Sequence, residues 1–288
     1  MAGSLSNIPE SQASGEIARL YADIKDTLRV PAVNLIWRHL ATIGGALPWI
    51  WGSIKPLYVK GILDAEAEGL RDVEGLPTLP CWPRAALRVV GVRSADETVL
   101  RAVLANYDQT NPVNLLAFIT LLARLRDEGA ERAEFASAPR IRPARITNEL
   151  PRLIPAEEMS ADTRELARAF IEIGLDKAPE WISASAGITR HLANWPGFLA
   201  LCVSALAPLN KQIQRCIGRV HERAGIRGRA LVSELSDLHP PQETGPIISA
   251  LEPFTERYMI ASIIPKVRLL LRALPREGGP CDYLSMRL

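Results

Sequence analysis

The sequence predicts an all-α fold built from two pseudo-symmetric helical repeats in one chain, with a pocket between the halves. Apolar residues recur every three or four positions, as between Ile17 and Leu28, which is the spacing of an amphipathic helix. No segment alternates apolar and polar residues for long enough to predict a strand. In addition, the tetrapeptide Arg38–Ala41 returns as Arg190–Ala193.

The duplication extends beyond this tetrapeptide. Alignment of Ile36–Leu57 with Ile188–Leu209, without a gap, gives 9 identities in 22 positions. A period of about 150 residues is too long for a solenoid and indicates two fused copies of one helical unit. We therefore expect a first helical repeat at residues 1–130, a Pro/Arg-rich crossover linker at residues 131–159 and a second helical repeat at residues 160–288. Pockets tend to form where two such halves meet.

Single helices can be located from their apolar stripes and their ends. The stripe over residues 16–29 returns over residues 166–173 in the second half. Ser94 to Glu97 have the spacing of a capping box, which predicts that a helix begins there. Prolines such as Pro112 are expected to start, kink or end helices.

Composition argues against several classes of partner and site. The formal net charge of +2 gives no electrostatic reason to expect nucleic acid or an anionic membrane. The apolar runs are shorter than the ~20 residues of a membrane span, and the first residues lack the pattern of a signal peptide. Four cysteines without C-x-x-C spacing predict reduced thiols, so a cytoplasmic location is expected. The histidines show no H-x-x-x-H pairing, so no metal site is expected.

Several segments resemble the group I 2-haloacid dehalogenase family, and the resemblance covers most of the chain. These segments are Val33–Ala41, Trp49–Trp51, Pro56–Tyr58, Tyr107–Leu115 and Trp195–Leu199. The resemblance implies two pseudo-symmetric helical halves with the active site between them, in a homodimer. It also implies that water directly attacks the 2-carbon of a short 2-haloalkanoic acid, without a metal or an organic cofactor.

The chain departs from this pattern at the general base. The resemblance implies an aspartate at the start of the second repeat's R-x-L-A helix, where the alignment places Ile188, or Gly187 after a slip of one residue. Neither residue can accept a proton from water, although Asp108 or Glu256 is conceivable as a surrogate.

Three interpretations of function therefore stay open. The first is a 2-haloacid dehalogenase-like hydrolase, and the second is a non-catalytic or chemically diverged homologue that binds a small carboxylic acid. The third is a structural, helical interaction protein, whose pocket would be filled by side chains such as Ile188.

Two asparagines are candidates for the catalytic machinery. Asn111 and Asn114 lie in a leucine-rich segment that is expected to be a buried helix, where an amide must find a hydrogen-bonding partner. The resemblance favours contact with the ligand or with the attacking water. The alternative for Asn111 is a structural role, because Asn111-Pro112 also has the pattern of a helix start.

Other residues are candidates for binding substrate. The Arg38 guanidinium can bind a carboxylate, but its repetition as Arg190 favours a structural role for both. Trp37, Tyr258 and Gly187 are further candidates, with core packing as the alternative for the two aromatic residues. His39 and His191, which occupy equivalent positions in the two repeats, are expected to have structural roles at the edge of the core.

Overall fold

The structure, a computed structural model, describes residues 5–128, 143–176 and 186–275, without the side chains of residues 257 and 258. The regular elements within these ranges are all helical, as the sequence predicts. The α-helices are α1 (Gly15–Leu28), α2 (Leu35–Leu40), α3 (Ala46–Val59), α4 (Ile62–Arg71), α5 (Arg84–Val89), α6 (Ser94–Leu125), α7 (Ala161–Glu172), α8 (Gly187–Leu192), α9 (Pro196–Leu206), α10 (Asn210–Ala230), α11 (Gly245–Thr255) and α12 (Ser262–Ala273). A π-helical turn, Arg257–Ala261, joins the last two.

Helix α6 is the central element of the fold. Its 32 residues span about 48 Å, and it packs against α4, α10, α11 and α12. The helix begins at Ser94, as predicted, but its capping box lies one residue before the expected Ser94 to Glu97. The carboxylate of Asp96 accepts a hydrogen bond from the backbone N–H of Arg93, the N-cap residue, at 3.1 Å. Most side chains between Leu100 and Ala123 are buried. The helix is therefore enclosed by the rest of the chain.

Pro112 lies inside α6, so the expectation that Asn111-Pro112 starts a helix is wrong. Proline has no N–H, and the carbonyl of Asp108, four residues earlier, loses its helical partner. The buried guanidinium of Arg71, at the end of α4, replaces that partner by donating from Nε to the Asp108 carbonyl at 2.9 Å. It also donates to the carbonyl of Gln109 at 3.3 Å. A side chain from a neighbouring helix thus allows α6 to continue.

A buried lysine ties α12 to α7. Nζ of Lys266 is fully buried and donates to the carbonyls of Phe170 and Ile171, at 3.0 and 2.8 Å. These carbonyls belong to the last turn of α7, where helical acceptors lack intrahelical partners. Burial lowers the pKa of Lys266 from 10.5 to about 7.

The two copies of the duplicated tetrapeptide occupy equivalent local structures. Each lies at the end of a six-residue helix, α2 or α8, and the residue before each helix, Asn34 or Ala186, is extended. The wider duplication and the domain boundaries stay predictions. Part of the predicted linker, residues 131–142, lies outside the described residues. The rest runs from the end of α1 to α8, because Ile146 and Ile154 donate backbone hydrogen bonds to the carbonyls of Arg29 and Arg190.

The cysteines differ from expectation at one position. Cys202 and Cys216 are free and buried, as expected of reduced thiols. Cys81 is disulfide-bonded, so the expectation is wrong for this residue. C-x-x-C spacing reveals only local pairs, and a pairing between distant parts of the chain escapes it. In the described part of the chain, no helix combines the length and the apolar character that a membrane crossing requires.

Arg71→Met should lower the free energy of unfolding by about 2–4 kcal/mol, because the carbonyl of Asp108 loses its buried donor and the Asp108 carboxylate keeps only Arg268. Urea denaturation monitored by circular dichroism measures the change. Arg88→Met is the matched control, since Arg88 is exposed at the end of α5 and its loss should change stability by less than about 0.5 kcal/mol. Equal effects of the two substitutions would contradict the role given to Arg71.

Lys266→Met should remove a pH dependence of stability. Between pH 7 and about 10 the unfolded chain keeps the lysine proton that the folded chain has released, so the unfolded state binds more protons. Wild-type stability should therefore rise with pH across this window, by up to about 1.4 kcal/mol per pH unit, relative to the variant. Denaturation at several pH values measures the difference. A wild-type profile parallel to that of Lys266→Met would refute the assignment, and Lys211→Met, an exposed site, serves as the control.

Candidate active site

A cavity of about 120 Å³ lies beside the middle of α6. This volume suits a molecule of a few heavy atoms and is smaller than a drug-sized site. The wall combines residues 10–114 with residues 153–263. Its members are Glu10, Ala32, Val33, Asn34, Leu35, Ile36, Arg38, Asn106, Tyr107, Asn111, Asn114, Leu153, Ala186, Gly187, His191, Phe254, Met259, Ile260 and Ile263.

Helix α6 presents a polar stripe to this cavity. Asn106, Tyr107, Asn111 and Asn114 all line it and are all buried. At 100° per residue, these four positions fall within about 140° of the helix circumference. The polar residues of an otherwise apolar helix thus converge on one wall.

Four buried polar atoms in the described part of the wall have no hydrogen-bond partner. They are Oδ1 of Asn34, Nε of Arg38, Oδ1 of Asn106 and Nδ2 of Asn111. Buried polar atoms are nearly always paired in folded proteins, with protein groups or with ordered water. Two donors and two acceptors around one small space therefore indicate a site for a polar ligand and water.

Arg38 gives the cavity a positive charge. Burial lowers the pKa of its guanidinium, and the positive charge of Arg190 lowers it further. A guanidinium nevertheless stays protonated at neutral pH. Arg190 itself donates from Nε to the carbonyl of Ile154 at 3.2 Å and does not line the cavity. The local field favours an anion.

Tyr107 and His191 form a buried pair in the wall, with 2.8 Å between Oη and Nδ1. Burial, followed by the charges of Arg190 and Arg38, lowers the pKa of His191 to about 4, so the ring is neutral at pH 7. The neutral ring carries one proton, and with that proton on Nε2 its Nδ1 accepts the hydrogen bond from the hydroxyl of Tyr107. Burial raises the pKa of Tyr107 above its usual range.

Asn114 is held by a second tyrosine. The buried hydroxyl of Tyr58 donates to Oδ1 of Asn114 at 2.8 Å. This bond fixes the amide orientation, and burial keeps Tyr58 protonated by raising its pKa. Asn114 is thus anchored in the wall, whereas Nδ2 of Asn111 has no protein partner.

Four of the predicted site residues meet in the cavity wall: Arg38, Asn111, Asn114 and Gly187. Two others do not line it. Trp37 is buried in the core, where its ring packs edge-on against Trp51 and Phe118, with centroids 5.5 and 4.9 Å apart. Ile188 is fully buried in the core as well. Tyr258 falls among the residues whose side chains lie outside the description.

Position 187 faces the cavity, and position 188 does not. A Cβ atom at Gly187 would lie only 2.7 Å from Oη of Tyr107. The hydroxyl of Tyr107 thus occupies the space that a side chain at residue 187 would need.

One carboxylate lines the described wall, that of Glu10. One of its oxygens is 2.7 Å from Nζ of Lys25, and the other accepts the backbone N–H of Val33 at 2.8 Å. The surrogate bases considered from sequence lie elsewhere. Asp108 pairs with Arg268 at 3.2 Å, and neither it nor the exposed Glu256 lines the cavity.

Sequence reasoning missed Glu10, Asn34, Asn106 and Tyr107 as wall residues, and it favoured a structural role for His191. Helical spacing from Asn111 and Asn114 was a usable signal for Asn106 and Tyr107. No local pattern distinguishes Glu10 or Asn34. Within the described ranges, no group of three or more His, Cys, Asp or Glu side chains could hold a metal ion.

This chain resembles haloacid dehalogenases in both its sequence and its fold. A configuration-inverting 2-haloacid dehalogenase of Alcaligenes xylosoxydans xylosoxydans is 28% identical over 276 residues, which cover 89% of each chain. A second, of Pseudomonas sp. (strain 113), is 26% identical over 290 residues, covering 93% of this chain and 92% of the relative. This chain is similar in sequence to the 2-haloacid dehalogenases over most of its length. No family model matches it.

Solved structures show that this chain has the same fold as the D-2-haloacid dehalogenases. A D-2-haloacid dehalogenase in complex with L-LA superimposes with a TM-score of 0.69 at 19% identity, covering 93% of this chain and 96% of the other. A mutant of a D-2-haloacid dehalogenase in complex with D-2-CPA gives 0.66 at 18% identity, covering 94% and 96%.

Substitution of the two asparagines should have opposite effects on stability. Asn111→Leu removes an unpartnered buried Nδ2 and should raise the free energy of unfolding by about 1 kcal/mol. Asn114→Leu leaves the buried hydroxyl of Tyr58 without an acceptor and should lower it by about 1–3 kcal/mol. Chemical denaturation without ligand measures both. A loss of stability of similar size in both variants would show that Asn111 is a structural residue and not a ligand contact.

Proposed function

We propose that this protein hydrolyses the carbon–halogen bond of a short 2-haloalkanoic acid by direct attack of water on the 2-carbon. The observation that carries the proposal is the set of unpartnered polar atoms, Arg38 among them, around a small cavity in a chain similar to the 2-haloacid dehalogenases. The reaction needs only water as its second reactant.

The cavity has separate features for the two ends of such a substrate. Arg38 lines the cavity, and its unpartnered Nε can donate to a carboxylate, whose charge would also be favoured by the nearby positive charge of Arg190. Side chains of Ile36, Leu153 and Phe254 supply apolar surface for the alkyl group and the halogen. A guanidinium within apolar walls favours a small monocarboxylate over larger polar metabolites.

The amides of α6 suit the attacking water. Nδ2 of Asn111 and Oδ1 of Asn106 are unpartnered in the wall, and Asn114 is held beside them by Tyr58. One donor and one acceptor within a single wall can fix both the position and the orientation of a water molecule. The same donors can solvate the halide as it leaves.

The second candidate function is binding of a small carboxylic acid without turnover. It is favoured by the absence of an acidic residue at both position 187 and position 188, and by the engagement of both Glu10 oxygens. The structural-protein interpretation has less support, because the cavity is open and Ile188 does not fill it. The homodimer, the cytoplasmic location and the lack of nucleic-acid and membrane partners stay predictions.

Halide release distinguishes the two candidates. The wild-type protein should release chloride from at least one enantiomer of 2-chloropropionate, measured with an ion-selective electrode. Arg38→Met should raise KM at least tenfold, because a charge-assisted pair to the carboxylate is lost. Arg88→Met, far from the cavity, should leave both parameters unchanged.

Binding without turnover has its own signature. Propionate at a hundredfold excess over Kd would then stabilise the wild-type fold by about 2.7 kcal/mol, without chloride release from either enantiomer. That result would replace the hydrolase with the binding protein. If propionate does not stabilise the protein and neither enantiomer yields chloride, the cavity is not a carboxylate site.

A further inference from the structure

Hydrolysis by water requires a group that accepts the proton of the attacking water. In the described wall two groups can do so: the carboxylate of Glu10 and, through the hydroxyl of Tyr107, Nδ1 of His191. This inference rests on the proposed function and asks which of them accepts the proton.

Glu10 is poorly suited to this role. One of its oxygens is ion-paired with Lys25, the other accepts a backbone N–H, and about a third of the side chain is exposed (32%). Both carboxylate oxygens are therefore already engaged as acceptors by other groups of the protein. Its contacts place Glu10 as a structural link between α1 and the segment before α2.

The Tyr107–His191 pair has the required order of donors and acceptors. In the neutral tautomer with its proton on Nε2, His191 keeps the Nδ1 lone pair to accept from Tyr107 at 2.8 Å. Oη of Tyr107 then keeps a lone pair that can accept a hydrogen bond from water. Both residues line the cavity and share its wall with Asn111.

We propose that Tyr107 and His191 form a proton relay that activates the attacking water in place of a carboxylate. As the water oxygen forms its bond to the 2-carbon, a water proton passes to Oη of Tyr107 and the hydroxyl proton of Tyr107 passes to Nδ1 of His191. The carbon–halogen bond breaks, and its electron pair leaves with the halide. The products are a 2-hydroxy acid, halide and a protonated imidazole, which returns its proton to solvent.

The basicity of the pair is appropriate to this step. The pKa of His191, lowered to about 4, equals that of an ordinary aspartate side chain, about 3.9. The imidazole is therefore unprotonated throughout the neutral range and as basic as the carboxylate that it replaces. Because the relay moves both protons together, Tyr107 never has to persist as a buried tyrosinate.

The geometry at Gly187 supports the substitution of one base by the other. Oη of Tyr107 lies 2.7 Å from the place of a Cβ atom at residue 187. A carboxylate at residue 187 and the hydroxyl of Tyr107 therefore compete for one location in the wall. Removal of the hydroxyl makes room for the side chain.

Tyr107→Phe tests the relay in the full-length protein. It should lower kcat for chloride release from 2-chloropropionate at least 100-fold and change KM less than threefold, because the proton path is lost and the carboxylate site is kept. Tyr21→Phe is the matched control. It deletes a hydroxyl that donates to the Ile8 carbonyl at 3.0 Å, outside the cavity wall, and kcat should not change.

Two further measurements separate proton transfer from structural support. As the D₂O fraction of the solvent rises, wild-type kcat should decrease along a curve, because two protons move in the transition state. A hydroxyl with a purely structural role would not produce this curvature. Gly187→Asp in the Tyr107→Phe background should restore at least a tenth of wild-type kcat, whereas Gly187→Asp alone should not exceed the wild type.

The outcomes are distinguishable. If the wild type releases halide and Tyr107→Phe does so at the same rate, the relay is overturned and the proposed function stands. If Glu10→Gln abolishes kcat and Tyr107→Phe does not, Glu10 is the acceptor. If the wild type releases no halide from either enantiomer, the proposed function and the relay fall together.

Discussion

The enclosure of a polar helix face is the constraint on which the rest of this structure depends. Helix α6 is surrounded by other helices, yet it carries three asparagines, a tyrosine and two threonines on its buried surface. Each of these groups must find a partner inside the protein or lose the free energy of its hydration. Some do: Thr110 accepts from Nδ2 of Asn34 at 3.0 Å, and Asn114 accepts from Tyr58. Of the remaining groups on the stripe, Oδ1 of Asn106 and Nδ2 of Asn111 have no partner, and both residues line the cavity.

The same helix is kept continuous by a side chain from outside it. Pro112 breaks the hydrogen-bond ladder of α6 next to the polar stripe, and the guanidinium of Arg71 repairs it. Without that donor, the carbonyl of Asp108 would have no hydrogen-bond partner in the turn that joins Tyr107 to Asn111. The geometry of the site thus depends on a buried cation outside the cavity wall.

The electrostatic character of the cavity follows from two arginines and the exclusion of water. Burial makes protonation of the nearby imidazole unfavourable and lowers its pKa, and the charges of Arg190 and Arg38 add to this effect. The cavity therefore has a positive charge that attracts an anionic ligand, and it still contains the neutral imidazole of His191 as a base. A carboxylate substrate would partly neutralise Arg38 and bring its 2-carbon into a wall that contains both hydrogen-bonding amides and apolar side chains.

Much of this protein is determined by the sequence alone. Helical periodicity without alternation predicts the all-α class, because 3.6-residue spacing is a local property of the chain. The segments around Val33–Ala41 and Tyr107–Leu115 indicate the similarity to the dehalogenases. Positions 187 and 188 hold glycine and isoleucine, so neither supplies an acidic side chain. Asn111 and Asn114 are identifiable because a buried amide needs a partner wherever the helix packs.

Only the tertiary structure decides which candidates share a wall. Trp37 and Arg38 are adjacent in sequence, yet one packs into the core and the other lines the cavity, because neighbouring residues in a helix point about 100° apart. Gly187 and Ile188 separate in the same way. The meeting of Tyr107 with His191, 84 positions away, and the supply of Arg71 to a carbonyl of α6 depend on helix packing, which joins distant parts of the chain through contacts that no local pattern encodes.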